Sequence, residues 1–114
     1  MATTAEHLVD EINRACDGDP WHGTSVMQTL KGVDAATAAS RPILHAHSIW
    51  ELVLHLTAWA DEVTRRLGGA QAAEPEAGGW PPVPTVADAA AWQRTCDALA
   101  AAHRRLAAAV SAVA

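Results

Sequence analysis

Six histidines, His7, His22, His45, His47, His55 and His103, are the residues of this chain whose type suits chemistry near neutral pH. A neutral imidazole turned into a helical bundle suits zinc, nickel or iron, and a neighbouring carboxylate can orient it. The sequence has no HExxH, nucleophile elbow, P-loop or GxGxxG. Any site must therefore be assembled in space, and the candidates for a divalent metal are His55, His103 and His22.

Each candidate has a plainer reading beside the chemical one. His55 lies two turns into a helix that starts at Ser48, beside Leu52 and Trp59, with Glu51 and Glu62 on neighbouring turns. It is either an edge histidine whose nitrogen meets water or a carboxylate, or a metal ligand. His103 falls on an apolar seam between Leu99 and Leu106, where an unpaired polar group costs about 1–3 kcal/mol. It needs a partner: a backbone carbonyl, an acid from another helix, or a metal shared with His55. His22 follows Asp19-Pro20, and His45 and His47 flank the approach to Ser48. These three gather near one end of the chain's helices or serve as exposed cap and loop residues, and their spacing is not a metal signature. His7, among Glu6 and Asp10, reads as surface.

Other chemistry finds less support. The acids are scattered rather than paired, and Cys16 and Cys96 lie far apart with no adjacent base. They read as reduced, buried thiols. Eight basic against thirteen acidic residues give a net charge of −5, with no basic cluster to neutralise a phosphate backbone, so no nucleic acid is expected as a partner. Residues Met1 to Asp10 carry acids and no long apolar stretch, which argues against a secretory signal or membrane anchor and makes the cytoplasm the default compartment.

The elements that must position these residues are helices. Length allows one domain over residues 1–114, and the absence of Phe and Tyr leaves Leu, Val, Ile and Trp to fill one core. A helical pattern runs from about Thr4 to Cys16, with Leu8, Ile12 and Ala15 on one face. Asp19 as N-cap and Pro20 in the first helical position predict a second segment from there, carrying Trp21, Val26, Met27 and Leu30 and ending at Gly32. Asp34 to Ser40 reads as a short capped turn or helix stopped by Arg41-Pro42. Ser48-Ile-Trp-Glu51 is a capping box that starts a helix to Leu67, and Gly68-Gly69 ends it. A Gly- and Pro-rich surface loop follows to Pro84, with Trp80 expected to fold back onto the bundle. Thr85 with Asp88 gives a weaker start signal. Trp92, Cys96, Leu99, His103, Leu106, Val110 and Val113 then repeat as a heptad-like seam. The expectation is an all-α antiparallel bundle with three main helices, the first one broken.

The run Asp19-Pro-Trp-His-Gly-Thr-Ser-Val-Met-Gln-Thr-Leu-Lys-Gly-Val33, followed by Arg41-Pro-Ile-Leu-His-Ala-His-Ser-Ile-Trp-Glu-Leu-Val-Leu-His-Leu-Thr-Ala-Trp59, resembles the first half of DinB-like proteins. The likeness covers about Leu8 to Leu67 and reaches loosely into the helix after Thr85. It implies a four-helix bundle with up-down-down-up connections, a divalent metal held by three histidines near one end, and homodimers. The histidine eight residues after the HS of the capping segment, His55, takes the place of one ligand. The other two would come from an HxxxH-type pair on the last helix, and this sequence has no such pair. The chain stops in what looks like the third helix, so the expectation is a domain incomplete at its C-terminus, with uncovered apolar surface and self-association as a homodimer or larger assembly. The resemblance implies a metal-dependent thiol S-transferase type of enzyme acting on a small thiol or other small molecule. The alternative is a non-catalytic dimerisation or interaction module.

Overall fold

The computed structural model describes residues 2–20 and 23–113, which form five helices with no strand among them. The first, α1 (Thr4–Asp17), opens on a reciprocal capping box between Thr3 and Glu6. Its buried side follows Val9, Ile12 and Cys16 rather than the expected line through Leu8, which is half exposed.

The second segment begins later than Asp19. Helix α2 (Val26–Leu30) is capped by Ser25, whose hydroxyl accepts from the Gln28 N–H while the Gln28 side chain accepts from the Ser25 N–H. A full capping box outweighs the Asp-Pro signal upstream, because it satisfies donors at both ends of the first turn. Helix α3 (Ala35–Ala39) follows Asp34, whose carboxylate takes the Thr37 N–H at 2.8 Å.

Helix α4 (Ile49–Leu67) starts at the expected capping box, with Ser48 and Glu51 exchanging backbone hydrogen bonds at 3.0 and 3.1 Å. The last helix, α5 (Ala89–Val113), is capped by Asp88, which accepts the Ala91 N–H at 2.9 Å, and not by Thr85.

Helix α5 is the axis of the fold: α1 and α4 both pack along it and not on each other. Trp50 of α4 meets Trp92 of α5 with ring centroids 5.1 Å apart, and farther along Asp61 pairs with Arg105. Leu67 lies across a cleft from Val110 and Val113. Helices α4 and α5 therefore run parallel, joined by a crossover that travels back along the bundle. Thr4 and Leu8 share that cleft with Val110 and Val113, so α1 runs antiparallel to both. This is the up-down-down part of the expected connection order.

The core is a layer of Trp50, Val53, Trp92, Cys96 and Leu99, closed at one end by Ala38 of α3. Trp92 donates its Nε1–H to the Val33 carbonyl at 2.8 Å, which ties α5 to the α2–α3 turn. Cys16 and Cys96 are free and buried, and burial raises both thiol pKa values, so neither is an activated nucleophile. The seam on α5 is buried as far as Leu99, partly buried at His103, Leu106 and Val110, and exposed at Val113.

Candidate functional site on helix α4

Helix α4 offers three sides. Trp50, Val53 and Ala60 are buried, and Trp50 meets α5. A second side, carrying Ala58 and Glu62, is covered by the returning loop. The third, with Leu52, Leu56, Val63 and Leu67, is open.

The loop is fastened to α4 at two places. Near the C-terminal end, the Glu62 carboxylate is almost fully enclosed and receives Arg66 Nε at 2.6 Å, Arg65 Nε at 3.0 Å and the Ala73 N–H at 3.2 Å. Arg66 foremost, together with Ala73 and Arg65, holds this carboxyl below its ordinary pKa against the burial that opposes ionisation. The same guanidiniums donate to the carbonyls of Gln71 and Ala73.

The second fastening carries the histidines. Trp80 folds back as expected and lies nearly flat on two imidazoles. Its ring centroid is 3.6 Å from that of His47, with the planes inclined by 6°, and 3.9 Å from that of His55, inclined by 15°. Trp59 meets His55 edge-on at 6.4 Å. His55 Nδ1 lies 2.5 Å from the Gly79 carbonyl oxygen. A carbonyl only accepts, so this contact assigns the proton to Nδ1 and the free lone pair to Nε2.

His47 is oriented by Glu51, with Nδ1 and Oε2 3.2 Å apart. Glu51 also accepts Arg41 Nε at 3.0 Å and the Ser48 N–H. The Ser48 hydrogen bond, followed by that of Arg41, pulls the Glu51 carboxyl down to a pKa of about 2. One carboxylate thus closes the helix cap, clamps the connector at Arg41 and steadies His47.

The remaining histidines are placed apart from this cluster. His7 is on the exposed side of α1, and His45 sits in an exposed turn with φ +64°. His22 lies outside the described residues, as does Trp21. His103 is half buried on α5, and its Nδ1 is enclosed with no hydrogen-bond partner among the described residues. Among the described residues no carbonyl or acid satisfies that atom, and burial depresses the imidazole's pKa.

Nor do the described residues fit a three-histidine metal set. His55 has the anchored Nδ1–H and free Nε2 that suit a ligand. Yet no three of His, Cys, Asp and Glu gather into a group able to hold an ion among the described residues. No reaction step through a metal follows from this arrangement. Sequence reasoning reached Trp80 but not its partners. The His47–Glu51 spacing of four was a usable signal, whereas nothing in the sequence marks the Gly79 carbonyl.

Among the described residues, no helix is long and apolar enough to cross a membrane. In comparison with known proteins, the family model described as the DinB superfamily matches residues 21–114. No curated protein and no solved structure matches the chain.

Proposed function

The chain belongs to the DinB superfamily, and from that premise we propose that it works as a helical interaction module that pairs with a second copy of itself through the open side of α4. One observation carries this reading: Leu52, Leu56, Val63 and Leu67 form a single line along the helix at alternating four- and seven-residue spacing, each between 37% and 46% exposed. The line continues at its lower end into an apolar cleft with Leu8, Val110 and Val113. A contiguous aliphatic face of this kind marks an interaction surface more often than a solvated one. Sedimentation of the purified chain tests the proposal. A dimer that Leu56→Glu with Val63→Glu converts to a folded monomer supports it, and a wild-type chain that stays monomeric at every concentration overturns it.

A second reading has its own observation. The anchored Nδ1–H of His55 leaves Nε2 available, which favours a DinB-like protein that binds a divalent ion such as zinc, nickel or iron. The further ligands would come from His22, from His103 after rearrangement, or from another chain, and thiol transfer on a small-molecule substrate would be the activity to assay. Calorimetric titration of nickel and zinc separates the readings: binding abolished by His55→Ala supports the metal, and affinity unchanged by His55→Ala removes it.

A further inference from the structure

A cavity of about 420 Å³ opens between the end of α1, helix α2 and the first turns of α5, within the range of about 300–1,000 Å³ usual for small-molecule sites. Neither His47 nor His55 lines it, and neither does any of Leu52, Leu56, Val63 and Leu67, so it is separate from both surfaces described above. Its floor is Trp92 and Cys96 of α5, both buried. The Trp92 indole is fixed in place: its Nε1–H is bound to the Val33 carbonyl at 2.8 Å and its ring leans on Trp50. Met27, Leu30 and Val33, each half-buried, add apolar walls. A preset floor of this kind takes an apolar body without first having to be ordered.

The rim differs from the floor. Lys31, the one lysine of the chain, and Asp17 stand on it with opposite charge. Neither makes an ion pair among the described residues, with the other or with a third group. Asp17 is also the last residue of α1, where the helix dipole disfavours an acid and favours a cation. A carboxylate at that place works against the helix and in favour of a bound ammonium. Two amides complete the rim. Gln28 Oε1 is engaged by the Ser25 N–H, which leaves its amide hydrogens, and Gln93 Nε2 donates to Asp97, which leaves its carbonyl oxygen.

We infer that this cavity binds a small apolar zwitterion, a free apolar amino acid or a short peptide. The apolar part rests on Trp92 and Met27, the carboxylate meets Lys31 and the ammonium meets Asp17. A plain anion satisfies Lys31 but brings its charge towards Asp17, and a plain cation does the reverse. A neutral apolar molecule leaves both charges unused. Only a ligand that carries both answers the floor and the rim together, and the two rim charges reject the simple ions. The inference is independent of pairing through α4 and of metal binding at His55.

The test titrates leucine and leucyl-leucine into the full chain and follows the chemical shifts of its N–H groups. At least one should saturate with a Kd below about 1 mM, shifting Lys31, Gln93 and the Trp92 indole N–H, and the tighter of the two names the source. Acetylating the amine of that ligand, or amidating its carboxylate, should each weaken binding about three- to tenfold, as the loss of a charged hydrogen bond does. Lys31→Met should cost as much for the free ligand and nothing further for the amidated one. Asp17→Asn should do the same for the acetylated one, which separates direct contact from a change of fold. Both positions are exposed, so the circular dichroism should remain that of the wild type. No saturable shift with either ligand, or shifts confined to other parts of the surface, overturns the site. Sensitivity to one charge alone, or to neither, overturns the zwitterion.

Discussion

Trp80 and His55 lie nearly parallel at 3.9 Å, while the carbonyl of Gly79, the residue before Trp80, accepts the Nδ1 proton of the same imidazole. Two adjacent loop residues thus hold one ring by its face and by its edge. Stacked aromatic pairs contribute about 0.5–1.5 kcal/mol beyond simple burial, and Trp80 makes two such contacts.

Trp80→Ala is accordingly expected to lower stability by about 1–3 kcal/mol, with most of the change local. Amide hydrogen exchange should accelerate around Gly78 to Pro82 and leave the α4–α5 core protected. Trp80→Phe, which keeps an aromatic face, should restore much of the protection. Equal acceleration throughout the molecule would mean that the stack supports the core rather than the loop.

Acid stability is expected to depend on Glu51. Its carboxyl falls from an ordinary 4.5 to about 2 in the folded chain, so the unfolded chain binds the proton more readily. The contribution is complete above about pH 4.5 and is lost as pH falls through the folded value. Glu51→Gln retains a capping side chain but removes the charge, and should flatten the pH dependence of the urea midpoint between about pH 4.5 and 2. An unchanged slope would assign the acid sensitivity to other carboxylates, Glu62 first among them.

His103 is expected to behave as a cost to the fold. Its buried Nδ1 has no partner among the described residues, and burial lowers its pKa below 6.5. The neutral form is favoured in the folded state, so stability attached to this group is complete above about pH 6.5 and is lost as pH falls from there through the folded value. His103→Leu should raise stability by about 1–3 kcal/mol and remove that slope. Destabilisation instead would reveal a partner for His103, such as one supplied by a second chain.

Burial and exposed charge should separate cleanly on α5. Leu99 is fully enclosed, and Leu99→Ala should cost about 2–5 kcal/mol. Arg105 reaches Asp61 with three hydrogen bonds, yet both side chains are about half exposed, so Arg105→Ala should cost no more than about 1 kcal/mol. Equilibrium denaturation of the two variants checks the ordering.

The helices were legible where the signal is local. Ser48 and Glu51 lie within one turn, so their reciprocal bonds can be read from spacing, and the same holds for Asp34 before α3. Asp19-Pro20 misled because a cap is decided by competition, and Ser25 with Gln28 offers a more complete one. At α5 the acid Asp88 caps directly, so the box read from Thr85 is one turn too early. The candidate site was less legible. The place of His55 at the edge of the apolar face could be read, but its partners Gly79 and Trp80 lie 24 and 25 positions away across a loop with no periodicity. The lack of a partner for His103 among the described residues is a matter of packing between helices, which no heptad count reports.

The parallel course of α4 and α5 has a consequence for the order of assembly. None of the long helices packs against its sequence neighbour through a tight turn: the Asp61–Arg105 pair closes 44 residues, and the tie from Trp92 to Val33 closes 59. Contacts this distant slow the search for the native arrangement. Because α1 and α4 meet only through α5, both are synthesised before the helix that joins them. The apolar sides of a nascent chain stay uncovered until that last helix emerges, which makes this interval the natural point for chaperone engagement or premature pairing with another chain.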